Sequence, residues 1–171
     1  MNNNINNFDK QCLLKAIDAA ALSFKKGNYP VGAVLSIDNK IIATAGNEIN
    51  KRQSFVYHAE NNLIINNGDK LFKARKKKII SVYTTLEPCL QCLGACVTNH
   101  IDRIVYIQKD PNGGACSLEH NNIGSRYREF WPQIIYAPIS KIPKKLMLNY
   151  FKEEIKKGNS EWPKKMINLL S

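Results

Sequence analysis

Ile79-Ile80-Ser81-Val82-Tyr83-Thr84-Thr85-Leu86-Glu87-Pro88-Cys89-Leu90-Gln91-Cys92 carries a strand-like apolar run straight into a proline and two cysteines spaced i and i+3. Pro88 suits the first position of a helix, where its missing N–H costs nothing. Cys89 and Cys92 then fall on one face of the first turn, near enough to share a metal ion. The positive end of the helix also favours ionised thiols. About thirty residues upstream, Tyr57-His58-Ala59-Glu60 places an imidazole two positions from a carboxylate. His58 is expected to open a second helix, closed at Asn66-Asn67-Gly68 by a left-handed cap. Two helix starts facing each other above a sheet edge would bring these groups to one metal.

The ligand count argues for an open site. A structural zinc site takes four protein ligands, whereas a catalytic one keeps three and a position for water. The chain has no second Cys-x-x-Cys and no metal-spaced His pair, so a finger or ribbon lacks its other half. His58, Cys89 and Cys92 make three. Zinc so held makes water a nucleophile near neutral pH, and Glu60 stands beside His58 to move the protons. Cys96 lies one turn beyond Cys92 but reads better as a small buried hydrophobe, as do Cys12 and Cys116. His100 and His120 lack metal-spaced partners.

Outward from this centre, the residues predict alternating helices and strands. Apolar positions Leu13, Ala16, Ile17, Ala20 and Phe24 mark a helix over about 8–26, capped by Asp9 and ended by Gly27. Residues 31–46 read as a hairpin turning at Asp38-Asn39. Residues 46–55 read as a polar loop and 69–78 as a basic connection. Arg103–Ile107 and Ile134–Tyr136 are further strands. About 25 residues separate them, enough for a parallel crossover, with a short helix near Ser125–Phe130. Ser140 is expected to cap a helix of about 143–157, with one more short helix after Pro163. The order predicts a three-layer α/β/α sandwich on a mixed five-stranded sheet. With 171 residues, no internal repeat and no linker, one domain over 1–171 is expected. A polar tail occupies about 1–8 and a C-terminal extension about 159–171.

Several segments resemble the zinc-dependent cytidine/deoxycytidylate deaminase superfamily: Tyr29-Pro30-Val31-Gly32-Ala33-Val34, Ala45-Gly46-Asn47, His58-Ala59-Glu60, Thr85 to Ala95, and Gly113-Gly114-Ala115-Cys116-Ser117-Leu118. The resemblance covers about residues 9–156. Within that superfamily it looks most like tRNA adenosine deaminases and guanine deaminase. It implies one zinc ion per subunit on His58, Cys89 and Cys92, with Glu60 as the catalytic proton carrier. It also implies a substrate contact from Asn47 and backbone N–H groups near Ala59 and Cys89 facing the base. The implied reaction is hydrolytic, replacing an exocyclic amine of a nucleobase by a carbonyl and releasing ammonia. A homodimer is expected on the same ground. Without the resemblance, Asn47 after Gly46 reads as a turn residue.

Substrate is harder to read. The chain carries 25 basic and 14 acidic residues, a formal charge of +11, which suits RNA phosphates. A general richness in lysine, asparagine and isoleucine yields the same figure. Gly113 to Leu118 and the basic C-terminal helix look like the tRNA enzymes. However, Ser54-Phe55-Val56-Tyr57 replaces their usual Asp-Pro-x-Ala, and Tyr150-Phe151-Lys152-Glu153-Glu154 replaces an arginine-bearing stretch. Tyr57 is placed to close over a small base, and Phe130-Trp131 to stack on one. Adenosine deamination in tRNA leads. A free-base, nucleoside or nucleotide deaminase acting on guanine, cytosine or a cytidine compound follows, then a zinc-stabilised RNA-binding or interaction subunit without turnover. Five cysteines without an apolar leader or a membrane-length span suggest a reducing, cytoplasmic setting.

Overall fold

The computed structural model describes residues 5–159 and 161–170. In chain order the elements are α1 (Asn7–Lys25), β1 (Gly32–Ile37), β2 (Lys40–Gly46), α2 (Ile49–Arg52), α3 (Ala59–Asn66), α4 (Gly68–Ala74), β3 (Ile80–Leu86), α5 (Leu90–Thr98), β4 (Arg103–Gln108), α6 (Ser125–Glu129), β5 (Gln133–Tyr136), α7 (Ile142–Lys156) and α8 (Glu161–Leu170).

The strands form one sheet in the order β2-β1-β3-β4-β5. β1 runs antiparallel to both β2 and β3. β3, β4 and β5 run parallel, so each crossover passes through a helix. The sheet is mixed, as the residue pattern predicts. The β1–β2 hairpin turns at Asp38 and Asn39, whose φ values of 48° and 58° are what a tight mirror-image turn demands.

Alternation along the strands supplies two apolar faces. Val34, Tyr83, Val105 and Ile107 pack on one side with Cys12, Leu13, Ala16 and Ile17 of α1. Leu35, Val82 and Ile104 pack on the other with Leu63 of α3 and Leu93, Cys96 and Val97 of α5. Helices on both faces make the three layers. Gly32 is where α1 meets the sheet most closely: a methyl group there would overlap the backbone of Ala16 and Ala20.

Local boundaries differ from the sequence reading in instructive ways. Asn6, not Asp9, caps α1. Asn6 accepts from the Asp9 N–H while Asp9 accepts from the Asn6 N–H, so Asp9 is the far half of a capping box. Of the polar tail expected over about 1–8, residues 1–4 lie outside the described residues. Asn67 has φ −130°, so α3 does not end in a left-handed cap. The Asn67 side chain instead donates to the Leu63 carbonyl, and the chain enters α4 directly. The supposed basic connection is therefore largely helical, anchored by buried Leu71 and Ala74. Cys89 itself is the N-cap of α5, and Pro88 stands just outside the helix. Lys141 caps α7, with the Ser140 hydroxyl accepting from the Ile142 N–H at 3.1 Å. Among the described residues no helix is long and apolar enough to cross a membrane.

Candidate metal centre and base pocket

His58 is the N-cap of α3 and Cys89 the N-cap of α5, so both helix starts converge at the carboxyl end of β3. His58 Nδ1 lies 3.5 Å from Cys89 Sγ and 3.4 Å from Cys92 Sγ. The three ligand atoms all sit within 4.8 Å of one another. Tetrahedral zinc with ordinary Zn–S and Zn–N bonds separates its nitrogen and sulfur ligands by about 3.6 Å. The donor set fits the ion in chemistry and spacing. Cys96 is fully buried in the core and outside this cluster.

Protons are shared unevenly within the cluster. Hydrogen bonding from Cys92, then from His58, draws the Cys89 thiol down to about 4 against the opposing effect of burial. Cys92 is pushed up by its bond to Cys89 and by burial. The bond to Cys89 raises His58. Cys89 thus favours the thiolate form, while Cys92 ionises only when a metal ion takes its proton's place.

Glu60 is almost wholly buried, and burial raises its carboxyl above the usual carboxylate range. Thr84 of β3 donates to Glu60 Oε1 at 2.8 Å, which fixes the carboxylate. Glu60 Oε2 lies 3.5 Å from Cys92 Sγ.

These groups form the floor of a pocket of about 310 Å³. Asn47 lines it and is buried; its Oδ1 accepts from the Ile49 N–H at 3.0 Å. That turn leaves Nδ2 without a protein partner among the described residues. Asn47 is therefore a turn residue whose side chain that bond holds at the pocket wall. Ala59 is fully buried at the first position of α3, where backbone N–H groups lack intrahelical partners. Tyr57 does not line the pocket: the Arg52 guanidinium lies over its ring at 4.9 Å, and the neighbouring Phe55 lines the mouth instead. Phe130 and Trp131 lie apart from it, in contact with His100 and His120 respectively.

The remaining walls escape a local reading. Tyr29, Tyr150 and Trp162 form an aromatic wall, with Trp162 coming from α8. Glu87 and Asp110 form another. Glu87 accepts from the Asp110 N–H at 3.2 Å and the Cys116 N–H at 3.0 Å, and so pins the 110–116 loop beside the cysteines. Glu87 next to Pro88 was visible as a residue, but nothing in the sequence marks its loop partners.

Helix-capped zinc ligands, a buried carboxylate and a base-sized cavity define a metal-dependent hydrolase site of the deaminase kind. Residues 6–108 match the family described as the cytidine and deoxycytidylate deaminase zinc-binding region, and the chain belongs to that family. It is 38% identical over 109 residues to the tRNA-specific adenosine deaminase of Bacillus subtilis, spanning 64% of this chain and 66% of that protein. A solved tRNA:A34 deaminase superposes with a TM-score of 0.64 at 26% identity, covering 75% of this chain and 98% of the other. Guanine deaminase from Bacillus subtilis gives a TM-score of 0.51 at 28% identity, covering 61% and 66%. The protein is a zinc-dependent hydrolytic deaminase.

Proposed function

We propose that this enzyme converts adenosine to inosine in tRNA, with one zinc ion per subunit held by His58, Cys89 and Cys92. The likeness to a tRNA-specific adenosine deaminase carries the choice of substrate, and the +11 charge agrees with it.

When bound, zinc supplies the Lewis acidity that makes water nucleophilic near neutral pH. Glu60 would take one proton from the attacking water as its oxygen adds to the ring carbon bearing the amine, and give that proton to the ring nitrogen. It would then take the second proton from the added hydroxyl and give it to the departing amine. The C–N bond breaks, ammonia leaves and a carbonyl remains. Thr84 holds Oε1 throughout, leaving Oε2 to carry the proton. Asn47 Nδ2 donates to the base, and the Ala59 N–H faces the polar edge of the ring. Tyr57, turned toward Arg52, is left with at most an indirect part.

An ammonia-release screen over unmodified tRNA, free bases, nucleosides and nucleotides tests the substrate. Turnover of tRNA alone is expected; turnover of guanine or cytidine with none of tRNA refutes the reading. A small-molecule deaminase is the second reading, favoured by the guanine deaminase likeness and by Ser54-Phe55-Val56-Tyr57 before His58.

A homodimer through the outer faces of α3 and α5 fits the same site, within the cytoplasm. There Asn61 donates to Gln91 at 2.9 Å, while its own Oδ1 is buried without a partner among the described residues. Ile65 and Leu90 stand exposed on those helices. A monomer mass by light scattering refutes the dimer.

A further inference from the structure

The pocket floor is polar, formed by His58, Glu60 and Asn47, but two of its lining residues are exposed aromatic rings. Phe55 is 81% exposed. It sits with Val56 in the turn closed by the Tyr57 N–H onto the Ser54 carbonyl, and makes no ring contact among the described residues. Trp162, at the start of α8, is 46% exposed. Its position is nevertheless set, edge to face with Phe151 at 5.2 Å and tilted against Tyr29 at 6.0 Å. The two rings come from distant segments that share one anchor. Asn50 of α2 donates both to the Gly27 carbonyl at 2.7 Å and to the Tyr150 hydroxyl at 3.3 Å, tying the turn that carries Phe55 to the helix beneath Trp162.

Single exposed apolar residues are ordinary. Two at the mouth of one base-sized pocket, among cations, have a more specific use. Lys51 and Arg52 precede Phe55 and share the single Glu48 carboxylate. Residues 141–170 hold eight lysines against three glutamates. Aromatic faces beside positive charge are the arrangement that binds single-stranded nucleic acid, the rings stacking bases and the cations following the backbone.

We infer that Phe55 and Trp162 stack the bases flanking the target nucleotide, which makes α8 part of the RNA site. The inference rests on the tRNA reading. It extends the site into a helix beyond the matched family region, which ends at residue 108.

The test uses zinc-loaded full-length enzyme and an anticodon stem-loop RNA with adenosine at the wobble position. Three RNAs are compared: the parent, and two in which the nucleotide 5′ or 3′ of the target is abasic. Phe55→Ala and Trp162→Leu should each raise KM for the parent roughly 5- to 150-fold, the range of one stacked base. Each abasic RNA should cost the wild type a similar factor, and one of the two variants should lose nothing further on it. Zinc content and melting temperature confirm that the fold persists, and exposed Phe55 provides a variant that leaves the core untouched. Variants and abasic RNAs whose losses simply multiply would overturn the inference while leaving tRNA deamination intact. A wild type that deaminates free bases but not the stem-loop would overturn both.

Discussion

Gly114→Ala should damage the enzyme by displacing a wall of the pocket and, through it, the cysteines. A Cβ at Gly114 would lie 2.5 Å from Glu87 Cδ, 2.6 Å from Glu87 Oε2 and 2.7 Å from the Asp110 carbonyl. Ordinary carbon contacts begin near 3.4 Å, so the Glu87 carboxylate or the loop must give way by about 0.9 Å. Neither is a flexible tip. The carboxylate is buried and bonded to two backbone N–H groups, and the loop is paired to Cys89 through Gly114 and held by the Ala115 N–H on the Pro88 carbonyl. Hydrogen bonds to a charged acceptor contribute about 1.5–3 kcal/mol each. Stretching both should cost about 2–4 kcal/mol, lowering the melting temperature by roughly 5–15 °C for a chain of this size. Because Glu87 precedes Pro88 and Cys89, the displacement also reaches the zinc ligands, and a misplacement near 1 Å costs on the order of 100-fold in rate. Calorimetry and steady-state ammonia release measure the two effects, with Gly94→Ala as the control. Gly94 lies in α5 with nothing within 4 Å of an added Cβ, so alanine there should stabilise by about 0.8–1 kcal/mol. A Gly114→Ala enzyme with unchanged melting temperature and kcat within threefold of wild type would refute the argument that Glu87 bridges the loop to the cysteines.

Glu60→Gln should keep zinc and fold yet lose about 100- to 10,000-fold or more in kcat; metal analysis with single-turnover kinetics checks it, and retained turnover removes Glu60 from the proton path. Gly32→Ala should fail to fold or melt far below wild type, because the added methyl meets the α1 backbone rather than a movable side chain; circular dichroism reads the outcome. Chelation should abolish turnover and lower the melting temperature, and stoichiometric zinc should restore both, since a ligand bound only by the folded state stabilises it. Asp9 offers the pH prediction. Its burial pushes the carboxyl up, but hydrogen bonds from Arg103, Tyr83 and the Asn6 N–H outweigh that and leave it below the usual 3.8. A group so lowered contributes stability above its unfolded value and loses it as pH falls through the folded one. Asp9→Asn should therefore destabilise the protein at pH 7 and change it least below about pH 3.8; urea unfolding at both pH values decides.

The catalytic floor was readable in the chain because its chemistry is local. His58 and Glu60 are two residues apart, Cys89 and Cys92 three, and helix starts bring such spacings to one point whatever surrounds them. The mixed character of the sheet was readable for a related reason: a two-residue turn forces antiparallel β1 and β2, while long connections through helices allow parallel strands; the order β2-β1-β3-β4-β5 was not. Shorter signals misled. α4 buries only Leu71 and Ala74 among lysines, too little amphipathic pattern to separate helix from basic loop. Asn67 and Gly68 have the composition of a left-handed cap but not its geometry, because the Asn67 amide finds the Leu63 carbonyl instead.

Pocket walls resist a sequence reading for a deeper reason. Tyr29, Tyr150 and Trp162 are far apart in the chain and meet only after α7 and α8 have docked; Tyr57 and Phe55 differ by two positions, yet a turn at Ser54–Tyr57 sends Phe55 to the pocket and leaves Tyr57 beneath Arg52. The reaction depends on groups fixed by short spacing, whereas the choice of substrate depends on groups fixed by tertiary packing. A family can therefore keep its proton chemistry while the rim is rebuilt around it. Exchanging Ser54-Phe55-Val56-Tyr57 for Asp-Pro-Thr-Ala should accordingly alter KM among RNA substrates by about 10-fold or more, the combined scale of one or two stacking contacts, and leave kcat at saturation near wild type. A fall in kcat equal to the change in kcat/KM would mean that the rim enters the chemical step, and the division between floor and wall would fail.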